Sequence, residues 1–284
     1  MADTPAVVRA GRNPEALAVA LDATVPFYGR GVDGKTARLS AEQMALSVHD
    51  NIAGLYNARK FGRLDSTDQD LNTATLQAAV DSGEGVAIPA GDWHISESLK
   101  YRGYGRLIQG AGKERSILRQ KTVGEHVIEG GSGQTLYRAN IGDLGLYCDA
   151  GAGSGLYFPH LYDSELFRLN VYGHKAGIKV DESFSTTFSR IFANSVTGHA
   201  FDLVAGNTTL LQGCYAAAIN GADKAGYRIV NGATLIACNS VNVGDICFQL
   251  EGTVGRFKMI GCNMEDFHKY GVRSLCGTIS LQLD

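Results

Sequence analysis

A chain of 284 residues with 44% hydrophobic and 19% charged residues is too apolar to be disordered, and it is long enough for an elongated domain with an attachment at one end. Its formal net charge of −3 gives no electrostatic case for nucleic acid. No charged-then-apolar start reads as a signal peptide, and no apolar run reaches the roughly 18 residues needed to span a bilayer, so synthesis in a cytoplasm without membrane insertion is expected. Against 36 glycines stand only 5 prolines, which favours many tight turns and spares backbone N–H groups for long sheets.

Residues 1–62 differ from the rest and read as a small, mainly helical segment. Asn13 as N-cap and Pro14 at the first helical position open a short helix over Glu15 to Leu21. Thr24 to Arg38 is turn-rich, with Gly29, Gly31 and Gly34. Ser40 and Gln43 form a capping box, and Met44, Val48, Ile52 and Leu55 follow as one apolar stripe. So short a segment is marginal alone, so the stripe is expected to pack against copies of itself in an oligomer.

Residues 63–284 form the second part. Arg63 to Asp70 is a polar, acidic linker read as a solvated loop. It fails the calcium-loop pattern, because Asp70 and Leu76 stand where Gly and Glu are required. Thr73 is expected to cap a helix over Ala74 to Val80, ended by Gly83. In Gly85 to Ile95, Val86 and Ile88 alternate, Pro89-Ala90-Gly91 turns the chain, and Trp93 and Ile95 alternate again. This order of helix and strand, followed by Leu107-Ile108-Gln109-Gly110-Ala111-Gly112 and Ser116-Ile117-Leu118, resembles the opening of pectate-lyase-like right-handed β-helices. More specifically, it is similar to bacteriophage tailspike proteins. Where that family commonly has Gly-Asp-Gly, this chain has Gly62-Arg63-Leu64-Asp65. The resemblance covers about 65–284.

The back half repeats. Leu156, Ile178, Phe201, Tyr227, Phe248 and Val272 follow one another at steps of 22, 23, 26, 21 and 24, each after a small residue. Leu146, Leu169, Ile191, Cys214, Cys238 and Cys262 form a second column at steps of 23, 22, 23, 24 and 24. Within each unit the residues alternate, as in Ile178-Lys179-Val180 and Phe201-Asp202-Leu203, which favours strands over a helical repeat, and no Leu-x-x-Leu-x-Leu pattern is present. The fold class expected is all-β: a right-handed parallel β-helix, preceded by the small helical attachment segment. Asn170, Asn239 and Asn263 are expected to stack at a turn, where amides can hydrogen-bond up the column and tolerate left-handed backbone.

The 6 cysteines show no CxxC pair and no His at zinc-finger spacing, so they read as buried thiols, with neither metal nor cofactor expected. Disulfides are not expected in a cytoplasmic product. The search for a catalytic pair commits to no residue. Lys179, Asp202 and Arg228 should stack as an ion-pair ladder. Asp181 and Glu251 should lie about 14 Å apart, across three coils. Asp181-Glu182 and Glu265-Asp266 read as loop pairs, and His160, His174, His199 and His268 as turn or surface residues. The alternation from Thr278 to Leu283 reads as the start of another coil, which suggests a longer protein.

The resemblance implies a tailspike in the virion tail, a homotrimer attached through residues 1–62 to a phage tail or baseplate protein. Its β-helix would bind, and in a depolymerase cut, bacterial surface polysaccharide. On residues alone, a free-standing carbohydrate enzyme and a non-catalytic shaft stay open beside it. The lack of a signal peptide counts against the first, and the lack of a carboxylate cluster keeps the second.

Overall fold

The computed structural model describes residues 27–30, 36–39, 55–131, 134–149, 153–219 and 221–283. The chain divides into two compact units, Met1–Asn57 and Ala58–Asp284. In the first, Phe27–Arg30 and Thr36–Leu39 pair as an antiparallel hairpin, with Phe27 opposite Leu39, where the glycine spacing suggested turns. The helices expected over 15–21 and from Ser40 onward lie outside the described residues. The exception is Leu55, which stands in a strand, Leu55–Asn57, instead of closing a helical stripe. Buried Leu55 and Asn57 flank exposed Tyr56, a period of two that a stripe read at every third or fourth residue does not see.

The second unit opens with helix α1, Gln69–Asp81. It starts earlier than the sequence suggested, because the Asp68 carboxylate already accepts from the Leu71 N–H at 2.9 Å and caps the first turn. Thr73, expected at the cap, lies inside the helix with its hydroxyl donating to the Gln69 carbonyl at 2.7 Å. Ser82 follows, and Gly83 at φ +90° lets the chain leave. Leu76, Ala79 and Val80 of α1 join the hydrophobic core. Two amides on α1 complete the sheet edge beneath it. Gln77 accepts from the Lys100 N–H at 2.8 Å and donates to the Lys100 carbonyl at 3.1 Å. Asn72, fully buried, donates to the His94 carbonyl at 3.0 Å and accepts from the Asp65 N–H at 2.8 Å. Side-chain amides thus stand in for the peptide groups of a missing coil.

Beyond α1 the chain winds into a parallel β-helix of about 8 turns. Each turn contributes to three faces, and the first coil shows them in order: Gly85–Ile88 on face 1, Gly91–Ile95 on face 2 and Leu99–Tyr101 on face 3. Face 2 is a separate sheet of 8 strands ending at Asn263–Phe267. Faces 1 and 3 merge where strands run through their shared corner, as in Ala225–Ile236, Ile246–Ile260 and Tyr270–Leu283. No coil can bury its inward side chains alone, so each is covered by its neighbour and extends its backbone ladder.

The first sequence column is the interior of face 3. Leu156, Ile178, Phe201, Tyr227, Phe248 and Val272 are paired residue on residue in that order. Along it, Phe201, Tyr227 and Phe248 form a stack of parallel rings with centroids 4.7 Å apart. The second column needs one correction. Leu146 pairs with Val171, so the residue in register with Leu169, Ile191, Cys214, Cys238 and Cys262 is Leu144. Leu144 and Leu146 are both fully buried, and spacing alone does not separate two inward leucines two residues apart.

The residue before each member of that column turns the corner between faces 1 and 2 in left-handed backbone. In order these are Asp143, Arg168, Arg190, Gly213, Ala237 and Gly261, with φ between 47° and 60°. The expected asparagines are not among them. Asn170, Asn239 and Asn263 are the first residues of face 2 strands, Asn170 donates to the Tyr147 hydroxyl at 3.0 Å and Asn263 to Glu265 at 2.6 Å, so there is no amide ladder among the described residues. Ala237 is held at φ 51° between two glycine rungs. Ala237→Gly should therefore raise the unfolding free energy by about 0.5–1 kcal/mol, relief of left-handed strain outweighing the added freedom of the unfolded chain. A higher urea midpoint with unchanged slope checks this.

Cys148, Cys214, Cys238 and Cys247 are buried as expected, whereas Cys262 and Cys276 are half-buried. Cys214, Cys238 and Cys262 donate to the carbonyls of Phe188, Leu211 and Leu235 at 3.3, 3.5 and 3.7 Å. Contact with Cys214 pushes the Cys238 thiol up to about 12, so it stays protonated and unreactive.

Candidate functional site

The outer side of face 3 carries a ladder of polar residues in register: Lys100, Glu129, Tyr157, Lys179, Asp202, Arg228, Gln249 and Arg273. Lys179, Asp202 and Arg228 stack as the sequence implied, but the bonds are distributed differently. Arg228 donates to Asp202 at 2.9 Å and also to Glu251 at 3.0 Å, while Lys179 pairs with Asp181 at 3.4 Å. Asp181 and Glu251 do hold equivalent places three coils apart. What backbone spacing concealed is that one guanidinium bridges Asp202 and Glu251. Asp181-Glu182 and Glu265-Asp266 lie in strands instead of loops, Ala176–Phe184 and Asn263–Phe267. Asp181 accepts from the Tyr157 hydroxyl at 2.7 Å, and Glu182 faces His160 at 2.8 Å.

This arrangement binds charge better than it moves protons. Burial raises the Glu251 carboxyl, but the bonds from Arg228 and Gln249 outweigh it and hold it below the usual range. Every described carboxyl whose titration is displaced is displaced downward: Asp65, Glu125, Asp143, Asp149, Asp245 and Glu251. Their partners hold these carboxylates in the charged form. The bond to Asp181, aided by burial, pushes the Tyr157 phenol up to about 12, so it too keeps its proton.

The corner between faces 3 and 1 carries a different surface. Tyr104, Tyr137, Tyr162 and Phe184 stand in register on successive coils. Their ring centroids are 6.0, 5.4 and 5.2 Å apart, the last two pairs edge to face. Tyr104, Tyr137 and Phe184 are 60%, 40% and 39% exposed, and Tyr162 is half-buried. Arg138 lies over the Tyr104 ring at 5.3 Å. Next in register after Phe184 is Asn207, and there the line runs into a hollow of about 550 Å³ lined by Phe184, Asn207, Thr208, Asn231, Thr234 and Arg256. Apolar ring faces followed by amides, hydroxyls and a guanidinium suit a ligand with alternating C–H faces and hydroxyl groups. The sequence reading missed this line. The counting that found the interior columns would have shown it, since Tyr137, Tyr162 and Phe184 are separated by 25 and 22 residues.

The histidines divide by position. His160 is a half-buried strand residue, and His268 is exposed at a turn. His199 is a turn residue whose Nδ1 accepts from the Ala225 N–H at 3.0 Å. His174 lies at the turn between Asn170–Tyr172 and Ala176–Phe184, as expected, but is fully buried, with Nε2 bonded to the Leu146 carbonyl at 2.9 Å and Nδ1 without a partner. Burial lowers it from 6.5 to about 4. A histidine depressed in the folded state takes up its proton mainly on unfolding, so stability should fall as pH drops from 6.5 towards 4, by up to about 1.4 kcal/mol per pH unit. His174→Gln, which keeps a donor for Leu146, should flatten that slope in urea titrations at stepped pH. An unchanged slope would place the acid lability elsewhere.

No protein-family model matches the chain, and no curated protein matches it. Solved structures do. The tailspike gp42 of Acinetobacter phage vb_AbaP_AS12 superposes with a TM-score of 0.63 at 15% identity, over 76% of this chain and 46% of that one. The N-terminal fragment of bacteriophage Phi29 gene product 12 gives 0.62 at 15%, over 82% of this chain and 46% of that one. The A-module of the Azotobacter vinelandii mannuronan C-5 epimerase AlgE6 gives 0.55 at 15%, over 80% and 75%. This chain thus spans about half the length of each of those two phage proteins. The shared feature is the fold: a tailspike-like parallel β-helix, which viral and bacterial proteins both use.

Proposed function

We propose that this chain is part of a phage tail protein whose β-helix holds a bacterial surface polysaccharide along the corner from Tyr104 to Phe184. In this reading residues 1–62 join it to a tail or baseplate protein and help assemble a homotrimer. The observation that carries the proposal is the aromatic line itself. Four rings in register on a rigid ladder, leading into a polar hollow, form a linear platform matched to a linear sugar chain. The tailspike-like fold supports the same reading. The role we assign it is holding rather than cutting, because the carboxylates of the face 3 ladder are tied into ion pairs, Asp202 and Glu251 with Arg228 and Asp181 with Lys179.

Affinity electrophoresis of the full chain in gels containing capsular polysaccharides or lipopolysaccharides tests this. Retardation by at least one of them is expected, with the polymer's length unchanged on size-exclusion chromatography. Uniform mobility across the panel would refute binding, and a shortened polymer would refute the non-cutting role. Light scattering should give the mass of three chains; a monomer would remove the tail-protein part.

A further inference from the structure

A second hollow, of about 770 Å³, lies at the opposite edge of face 3, where the chain turns in from face 2. Its lining includes His126, Lys175, Lys179, His199, Lys224 and Arg228. The carboxylates in and around it are already engaged. Asp202 is bonded to Arg228, Asp181 to Lys179 and Tyr157, Glu129 to Lys100, and Glu125 at the lip turns back to the Ser98 hydroxyl. Lys175 and Lys224 have no hydrogen-bond or ion-pair partner for their ammonium groups among the described residues.

Lys175, Gly198 and Lys224 line the hollow three residues before the paired Ile178, Phe201 and Tyr227 of successive coils. Two strand spacings, about 10 Å, separate the coils that carry the two lysines. Between them a Cβ on Gly198 would come within 2.2 Å of the Lys175 carbonyl, so the stack requires glycine and the floor stays at backbone level. The histidines add donors. His126 Nδ1 accepts from the Ser154 N–H at 2.8 Å and His199 Nδ1 from the Ala225 N–H at 3.0 Å. Each bond fixes the tautomer that carries its proton on Nε2. Burial also keeps both rings neutral to lower pH than a free histidine. His126 Nε2 lies 3.9 Å from the Glu129 carboxylate, so the open donors are the two ammonium groups and the His199 imidazole N–H, which around a glycine floor call for an anion.

We propose that this hollow is a subsite for the carboxylate or phosphate substituents of an acidic polysaccharide, an inference that rests on the polysaccharide reading above. Lys179 and Phe184 belong to the same strand, five residues and about 16 Å apart, so one chain or branch crossing face 3 reaches both the hollow and the aromatic corner.

The test uses the full chain and whichever polysaccharide retards it. That polymer should be acidic, and Lys175→Ala/Lys224→Ala should weaken its binding at low salt by at least about tenfold. The variant should also flatten the salt dependence, while Lys175→Arg/Lys224→Arg retains most of the binding. Carbodiimide reduction of the carboxyls, compared with removal of phosphate by hydrofluoric acid, tells which anion is recognised. An uncharged retained polymer, or an alanine variant with wild-type affinity and salt slope, would overturn the inference and leave the polysaccharide reading intact. A wild-type chain that no polymer in the panel retards would remove both.

Discussion

Tyr227→Ala should lower the unfolding free energy by about 3–5 kcal/mol, the range for truncating a large aromatic ring in a core that does not collapse. Tyr227 is fully buried between Phe201 and Phe248, its ring within 4° and 9° of parallel to theirs, and its hydroxyl donates to the Asn239 carbonyl at 3.0 Å. Removing the ring opens a void that the neighbouring coils cannot fill, because the same backbone ladder fixes their spacing. Coils are stabilised by nearest neighbours, so the damage extends to the rungs above and below. Tyr227→Phe isolates the hydroxyl and should cost only about 1 kcal/mol. Urea unfolding checks both. An alanine variant within about 1 kcal/mol of wild type would mean the interior ring stack is not packed as described.

The second large effect concerns binding. Tyr137→Ala/Tyr162→Ala should weaken polysaccharide affinity on the order of 100-fold or more, since two adjacent aromatic contacts at the centre of an interface contribute roughly 1.5–2 kcal/mol each. Stability should change by less than about 1 kcal/mol, because neither ring belongs to the interior columns. The control is another aromatic pair, Tyr147 and Tyr172 on face 2, with centroids 5.8 Å apart. Tyr147→Ala/Tyr172→Ala should leave affinity unchanged. Equal losses from both double variants would point to non-specific stickiness of surface rings.

The interior of this fold was legible in the sequence because a stacked coil imposes one period on its inward residues. Ile178, Phe201, Tyr227 and Phe248 occupy the rung positions that their spacing implied. Errors arose where two residues satisfied one pattern, as with Leu144 and Leu146, and where a side chain acted before the apolar pattern began, as with the Asp68 cap of α1. The turns were misassigned because stacking decides left-handed backbone as much as residue type does. Arg168, Arg190 and Ala237 adopt it while Asn170, Asn239 and Asn263 do not.

The outer surface was less legible. Nothing inward constrains it, and long side chains bridge rungs that backbone spacing holds apart, as Arg228 does between Asp202 and Glu251. The burial of the turn residue His174 was not legible because it depends on Leu146, 28 residues earlier in sequence and directly against it in space. The aromatic corner obeyed the same period as the core, but a search confined to interior columns and carboxylate pairs passes over it.

Hydroxyl-radical footprinting of the full chain, with and without a retained polysaccharide, tests the central claim most directly. Protection should fall on Tyr104, Tyr137, Tyr162 and Phe184 as one connected line, with Tyr147 and Tyr172 labelled equally in both states. Protection centred on Tyr147 and Tyr172, or none along the corner from Tyr104 to Phe184, would contradict it.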